Sequence, residues 1–205
     1  YFEAGENGRA IAAVGNTGMV NAVIEKRVDS LQLDQLVVHD IWAHLVDLHH
    51  IELKKNTRLI GILGHDVYQD FEVFIDFQSK VIVLTRVDKK GIRIDTLAPY
   101  EVPYDSMEFE LRHHLIIVDT KVNNVRLKMI LDSGAELNLI DRQVNRKVMD
   151  KFTIIKRVNL LGVGNREVEV LAGVLNDVQC GNQYSDKMNT LLTSLDEISQ
   201  SFDVN

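Results

Sequence analysis

An aspartate set between two apolar runs constrains this chain more than any other feature. Residues 129–140 read MILDSGAELNLI, with Met129, Ile130 and Leu131 before Asp132 and Leu137, Leu139 and Ile140 after it. Those flanks predict buried strand, where an unpaired carboxylate is costly to bury. Asp132 is therefore expected either to be well satisfied by hydrogen bonds or to be chemically employed. Gly134, without a Cβ, lets the backbone turn sharply and approach the carboxylate; Ser133 adds a hydroxyl, and Ala135 is small enough for the same crowded place.

The rest of the chain predicts an all-β fold with a few short helices. Residues 18–28, 71–86, 109–131 and 166–175 are rich in Val and Ile with partial alternation, broken by Gly, Asn and Asp. Short helices of about two turns are expected at 48–55, 65–71, 141–149 and 195–201. Both prolines of the chain, Pro99 and Pro103, fall within 88–106, which has no sustained pattern and predicts a linker. The expected organisation is thus 1–87, a linker at 88–106, and 107–205.

The two halves resemble each other at a fixed offset. Adding 147 to a position carries Leu31 to Val178, Leu33 to Cys180, Ile41 to Met188, Leu45 to Leu192 and Leu48 to Leu195. VGN recurs at 14–16 and 163–165, where the offset is 149, so one hairpin is expected to differ in length. Under this register the counterpart of Asp132 falls at 132 − 147 = −15, and the counterpart of LIGILG (59–64) starts at 206. The expectation is a chain cut from a longer two-repeat protein.

LDSGAELNLI at 131–140, a glycine-bearing hairpin at LGVGN (161–165) and IGILGHDVYQDFEVFIDF at 60–77 together resemble the retropepsin-like aspartic peptidases, in particular bacterial proteins of that type with two tandem repeats. The family pattern runs strand, Asp-Thr/Ser-Gly-Ala, flap, two hydrophobic residues and a Gly, then a short helix. The resemblance implies an acid-protease barrel of two related lobes around a cleft, and a hydrolase that cleaves a polypeptide substrate with water activated by an Asp dyad. It makes Asp132 catalytic and Ser133, Gly134 and Ala135 supporting. Gly15 and Asn16 fall in one flap and Gly162 and Gly164 in the other. Ser133 stands where the family usually carries Thr, which keeps the hydroxyl. Aspartic peptidases need two carboxylates close enough to share a proton, one acting as base toward water and the other donating to the substrate carbonyl. Asp-Thr/Ser-Gly occurs once in the sequence. The second Asp is therefore expected from a segment preceding Tyr1 or from a homodimer. The reading from another class is a noncatalytic β-rich binding or scaffold module.

Other signals carry local explanations. A net charge of −7 with scattered Lys and Arg predicts neither a nucleic-acid nor an anionic-membrane partner, and no apolar run approaches the ~20 residues of a spanning helix. Cys180 is alone and is expected to be a small hydrophobe. GILGHD lacks the Lys and the spacing of nucleotide loops, so no cofactor is expected, and Gly61 and Gly64 read as backbone-packing positions. Asp66 and Asp70 read as a helix N-cap and a surface acid, and Asp76 as an outward-facing strand acid. His39, His44, His49, His50 and the pair His113–His114 lack a ligand spacing and read as surface histidines, with no metal expected. Trp42 and the five tyrosines are too dispersed to stack bases. Nothing in the sequence assigns a compartment.

Overall fold

The computed structural model describes residues 9–15, 18–95, 102–161 and 167–196. Among the described residues strand dominates, with three short helices between strands, as the Val/Ile-rich runs predict. The described strands form four open sheets and no closed barrel. The chain divides into two compact units, Tyr1–Arg9 with Ile24–Pro103 and Ala10–Val23 with Tyr104–Asn205. The division at Pro103 lies inside the stretch 88–106, whereas assignment of 10–23 to the second unit departs from a first segment running over 1–87.

β1 (Arg9–Gly15), β2 (Gly18–Leu33) and β3 (Leu36–Leu45) form a sheet of that order; in the first unit, β2 from Ile24 onward runs antiparallel to β3. The β2–β3 loop is only Asp34 and Gln35, and Asp34 takes a left-handed φ of 52°, the conformation that two-residue hairpin loops require. Helices α1 (His49–Lys55) and α2 (His65–Tyr68) follow, then the two-stranded ribbon β4 (Phe71–Asp76) and β5 (Val81–Arg86). The ribbon explains why 71–86 is not one strand. Asp76 Oδ1 accepts the amides of Gln78 (2.8 Å) and Ser79 (3.0 Å), closing the turn. Asp76 is thus a half-buried turn former, not a plain outward-facing acid. The cap of α2 is Gly64 rather than Asp66, which lies within the first turn, and the helix stops short of 71 because Phe71 enters β4. The buried apolar side chains here are Leu48 and Val67 among the described residues, while Ile60, Ile62, Phe77 and Ile82 are exposed.

The second unit has a fuller core. A meander of β6 (Glu110–Arg112), β7 (Leu115–Val122) and β8 (Val125–Leu131) replaces the single run 109–131. His113 and His114 are the two loop residues of the first hairpin, His113 with φ 55°. Asn123 and Asn124 form the second, both left-handed. β8 leads through Asp132 to β9 (Asn138–Asp141), then α3 (Arg146–Met149). The Asn145 side chain caps α3 by accepting the Lys147 amide, and a turn at 141–144, closed by Asp141, shortens the helix expected over 141–149. The hairpin β10 (Phe152–Leu161) and β11 (Glu167–Leu175) precedes β12 (Val178–Cys180), β13 (Gln183–Ser185) and β14 (Met188–Thr193). One sheet has the order β10-β11-β14-β9 and the other β13-β12-β7-β6, with β8 on β7. Val122 and Val178 from one sheet meet Ile140, Leu175 and Leu192 from the other, with Val148 of α3 between them. Each such fully buried side chain contributes about 1.5–3 kcal/mol. The helix expected at 195–201 lies almost wholly outside the described residues.

The offset of 147 reappears in strand pairing. Of the nine β2–β3 pairs, eight map onto pairs of the second unit when 147 is added to both members: Ile24↔Leu45 onto Leu171↔Leu192, Val28↔Ile41 onto Leu175↔Met188, Leu33↔Leu36 onto Cys180↔Gln183, and those between. Ser30↔His39 has no counterpart, because at Asp177 (φ 59°) the second-unit ladder breaks and continues in the other sheet. The loops correspond as well, with left-handed Asp34 matched by left-handed Gly181.

Candidate functional site

The strand that carries Asp132 does not run into the core. Along β8, Val125, Leu127 and Met129 face inward and are half-buried, but Ile130 is exposed and Leu131 is 62% exposed. Leu137 is exposed and Leu139 half-buried, and burial resumes at Ile140. The expected buried strand on both sides of the acid is corrected accordingly: Asp132 stands beyond the end of the packed region, where a charged carboxylate stays in contact with water. That removes the desolvation cost a buried carboxylate would carry.

A local turn sets the carboxylate's position. Asp132 Oδ1 accepts the Gly134 amide at 2.8 Å, and the Ala135 amide donates to the Asp132 carbonyl at 3.3 Å. This is an Asx turn, in which the side chain stands in for a backbone acceptor. A Cβ built on Gly134 would lie 3.2 Å from that same Oδ1, so any side chain there pushes the carboxylate aside. Among the described residues, the Gly134 amide is the carboxylate's hydrogen-bond partner. Ser133 and Ala135 are exposed beside it. Of the flap residues, Gly15 ends β1, while Asn16, Gly162 and Gly164 lie outside the described residues.

Below the turn, the segment is pinned by contacts that sequence reasoning missed. β9 runs parallel to β14, pairing Asn138 with Thr190 and Asp141 with Thr193. The Asn138 side-chain amide donates to the Asn189 carbonyl at 2.9 Å. Asp141 accepts the Gln143 amide through Oδ1 (2.6 Å) and the Leu195 amide through Oδ2 (2.7 Å), so one carboxylate joins the end of β9 to the segment leaving β14. The only sequence signal is an acid at a strand end, which is common. Asp141→Ala leaves two amides without these acceptors and is expected to cost about 1–3 kcal/mol. A chemical-denaturation midpoint compared with wild type checks this.

A second cluster braces β8 from the side. Glu110 accepts from Lys128 Nζ (2.6 Å) and from Arg112 Nη2 (2.6 Å), bridging β6 and β8 across β7. Lys128 foremost, then Arg112, hold the Glu110 carboxyl below its ordinary value of 4.5. A lowered folded value means that this stabilisation is present above the ordinary value and is lost as pH falls through the folded one. The melting-temperature gap between wild type and Glu110→Gln is therefore expected to be constant from neutral pH down to about pH 5, and to close as the medium is acidified further.

No described group of three or more His, Cys, Asp or Glu side chains is placed to hold a metal ion. His44 Nε2 lies 3.6 Å from Glu25, and His49 Nδ1 lies 3.9 Å from Glu52. Cys180 is half-buried, with Sγ 3.6 Å from the Met107 sulfur. Among the described residues no helix is long and apolar enough to cross a membrane. Comparison with protein-family models, with curated proteins and with solved structures returned no match to this chain.

Proposed function

We propose that this chain supplies one carboxylate, Asp132, to an aspartic endopeptidase of the retropepsin type. The observation that carries the reading is the strand–Asp132–Ser133–Gly134 turn, which leaves a solvent-accessible carboxylate held in one orientation by the Gly134 amide. Two further features support it. The segment after the turn is anchored by Asn138 on β14 and by Asp141 on the segment leaving it. The hairpin β10–β11 pairs as far as Leu161↔Glu167, and the flap residues Gly162 and Gly164 fall in sequence between these two positions, outside the described residues. In the reaction, a carboxylate pair sharing one proton is required. The ionised member takes a proton from water as the water oxygen attacks the peptide carbonyl, and the protonated member donates to the carbonyl oxygen. The substrate is an extended polypeptide, and the second carboxylate comes from another Asp, either Asp132 of a second copy or one in another segment.

One observation favours a noncatalytic binding module instead: the Asp132 carboxylate is satisfied within its own turn, as in a turn with no chemical role. The test is cleavage of an unfolded protein at about pH 4–6, the range where a carboxylate pair is half-protonated, with and without pepstatin and with Asp132→Asn in parallel. Cleavage blocked by both supports the peptidase. Chelator-sensitive cleavage indifferent to Asp132 would overturn it in favour of metal-dependent hydrolysis, and no cleavage by monomer or dimer would favour the binding module.

A further inference from the structure

The sheet built on β7 carries, on the side away from the core, a charge balance opposite to that of the chain. β7 alternates there, with Thr120 and Val122 buried and Asp119 and Lys121 exposed. Val122 and Val178 join the core, so Lys121 lies on the other side of the sheet. Strand pairing sets Lys121 directly opposite Arg126 of β8 on one edge and Gln179 of β12 on the other, and sets Gln179 opposite Tyr184 of β13. Directly paired residues share a face, so Tyr184, Gln179, Lys121 and Arg126 form one row across four strands, about 14 Å long at the usual strand spacing. The Gln179 side-chain amide donates to the Gly181 carbonyl at 3.0 Å, and Tyr184 is 71% exposed.

Like charges directly opposite one another destabilise a strand pair. Lys121 and Arg126 are both exposed, and among the described residues no carboxylate lies within ion-pair reach of either. The acids on the same face are placed elsewhere. Glu110 accepts from Lys128 and Arg112, and Asp119 stands opposite Lys128, two residues along β7 from Lys121. Lys121, Arg126, Lys128 and Arg112 therefore exceed Glu110 and Asp119 by two positive charges on this face, in a chain whose net charge is −7.

We infer that this row is a docking surface for an acidic run of another polypeptide in extended conformation. Charge complementarity selects the acid, since the two opposed cations lack a counter-charge in their own chain. The open sheet face selects a polypeptide. One exposed ion pair contributes only ~0.2–1 kcal/mol, and a sheet face has no concavity to enclose a small anion, so useful affinity requires several carboxylates joined in one chain. An extended chain places every second side chain on one side, about 7 Å apart. Lys121 and Arg126 reach that spacing from adjacent strands because their stems are long and flexible. Further along the row, Tyr184 offers its phenol hydroxyl to another carboxylate. The inference stands on the placement of these side chains and is independent of Asp132.

The experiment uses the full chain and fluorescein-labelled hexaglutamate, followed by anisotropy at neutral pH and low ionic strength. Saturable binding that weakens as salt is added is expected, and Lys121→Gln combined with Arg126→Gln is expected to raise Kd on the order of tenfold. Arg142→Gln combined with Lys156→Gln makes the same change in net charge at exposed positions beside the other sheet, and is expected to leave Kd unchanged. The Lys121 and Arg126 pair of substitutions is also expected to raise the melting temperature at low salt, by relieving the opposed charges. A melting temperature lowered by it would show that the chain itself satisfies these cations, and would overturn the inference. So would absence of saturable binding by the wild-type chain, or an equal rise in Kd for both double variants. Displacement of the peptide by inorganic phosphate at matched ionic strength would overturn it in favour of a small anion, and tighter binding of labelled hexauridylate in favour of a nucleic acid. Asp132→Asn is expected to bind hexaglutamate as the parent does, so loss of acid-pH cleavage and loss of docking are read separately.

Discussion

Asp132→Asn is expected to lower acid-pH cleavage of an unfolded protein by roughly 10²–10⁴-fold while leaving the fold intact. The substitution is informative because of what it preserves. Asn Oδ1 can accept the Gly134 amide as Asp Oδ1 does at 2.8 Å, so the Asx turn survives and the loss is chemical. What disappears is a group that can be ionised and can share a proton. Asp132→Ala is the less clean variant, since it also removes the acceptor of the Gly134 amide. Gly134→Ala gives the complementary case: it keeps the acid but places a Cβ 3.2 Å from its Oδ1, displacing the carboxylate by a few tenths of an ångström. A peptidase should lose part of its kcat through that displacement, because the geometry of the reacting groups is shifted. A turn with no chemical role should show only a small change in stability. Equal cleavage by wild type and Asp132→Asn in a chelator-free assay would make Asp132 a turn residue and nothing more.

Much of the strand content could be read from the sequence, because Val/Ile alternation reports a pleated, half-buried surface directly. The register of the repeat was also accessible, since Leu31, Leu33, Ile41 and Leu45 mark inward positions that recur 147 residues later. Burial around Asp132 was not. Periodicity can say which residues share a face, but not how far a strand projects beyond the elements that cover it; Leu131 follows the pattern of Leu127 and Met129 in type and still ends exposed. Breaks in the ladder were equally hidden. Asp40 adopts φ 58° in the middle of β3 and switches the inward set from Leu36 and Val38 to Ile41, Ala43 and Leu45. Nothing about an aspartate in LVVHDIWAHL distinguishes such an interruption of the ladder from a surface acid. Asp76 and Asp141 escaped for a related reason: each acts by accepting backbone amides two or more residues away, which depends on chain direction rather than on residue type.

Gly173→Ala is expected to destabilise the second unit by about 1–3 kcal/mol, the usual range for a side chain forced into a packed site, and Gly173→Val by more. Gly173 lies on β11, paired with Ile154 of β10 on one side and Thr190 of β14 on the other, so the strand is held at both edges. A Cβ there would sit 2.4 Å from the Thr153 carbonyl oxygen and 2.6 Å from Phe152 Cζ. The ring could rotate away; the carbonyl could not move without disturbing the ladder at the register shift between Ile154 and Lys156. Combining Gly173→Ala with Phe152→Leu should therefore recover only part of the loss, which a denaturation midpoint for the single and double variants would measure. The matching position in the first unit is occupied by Lys26, paired with Ala43 as Gly173 is paired with Thr190. The register of the repeat thus tolerates a long side chain at this place, and the demand for glycine comes from β10, whose Phe152 and Thr153 approach β11 closely. If Gly173→Ala melted together with wild type, the approach of β10 would be looser than drawn, and the anchoring of β14, which holds β9 and the Asp132 turn, would have to come from the core residues Ile140, Leu175 and Leu192 alone.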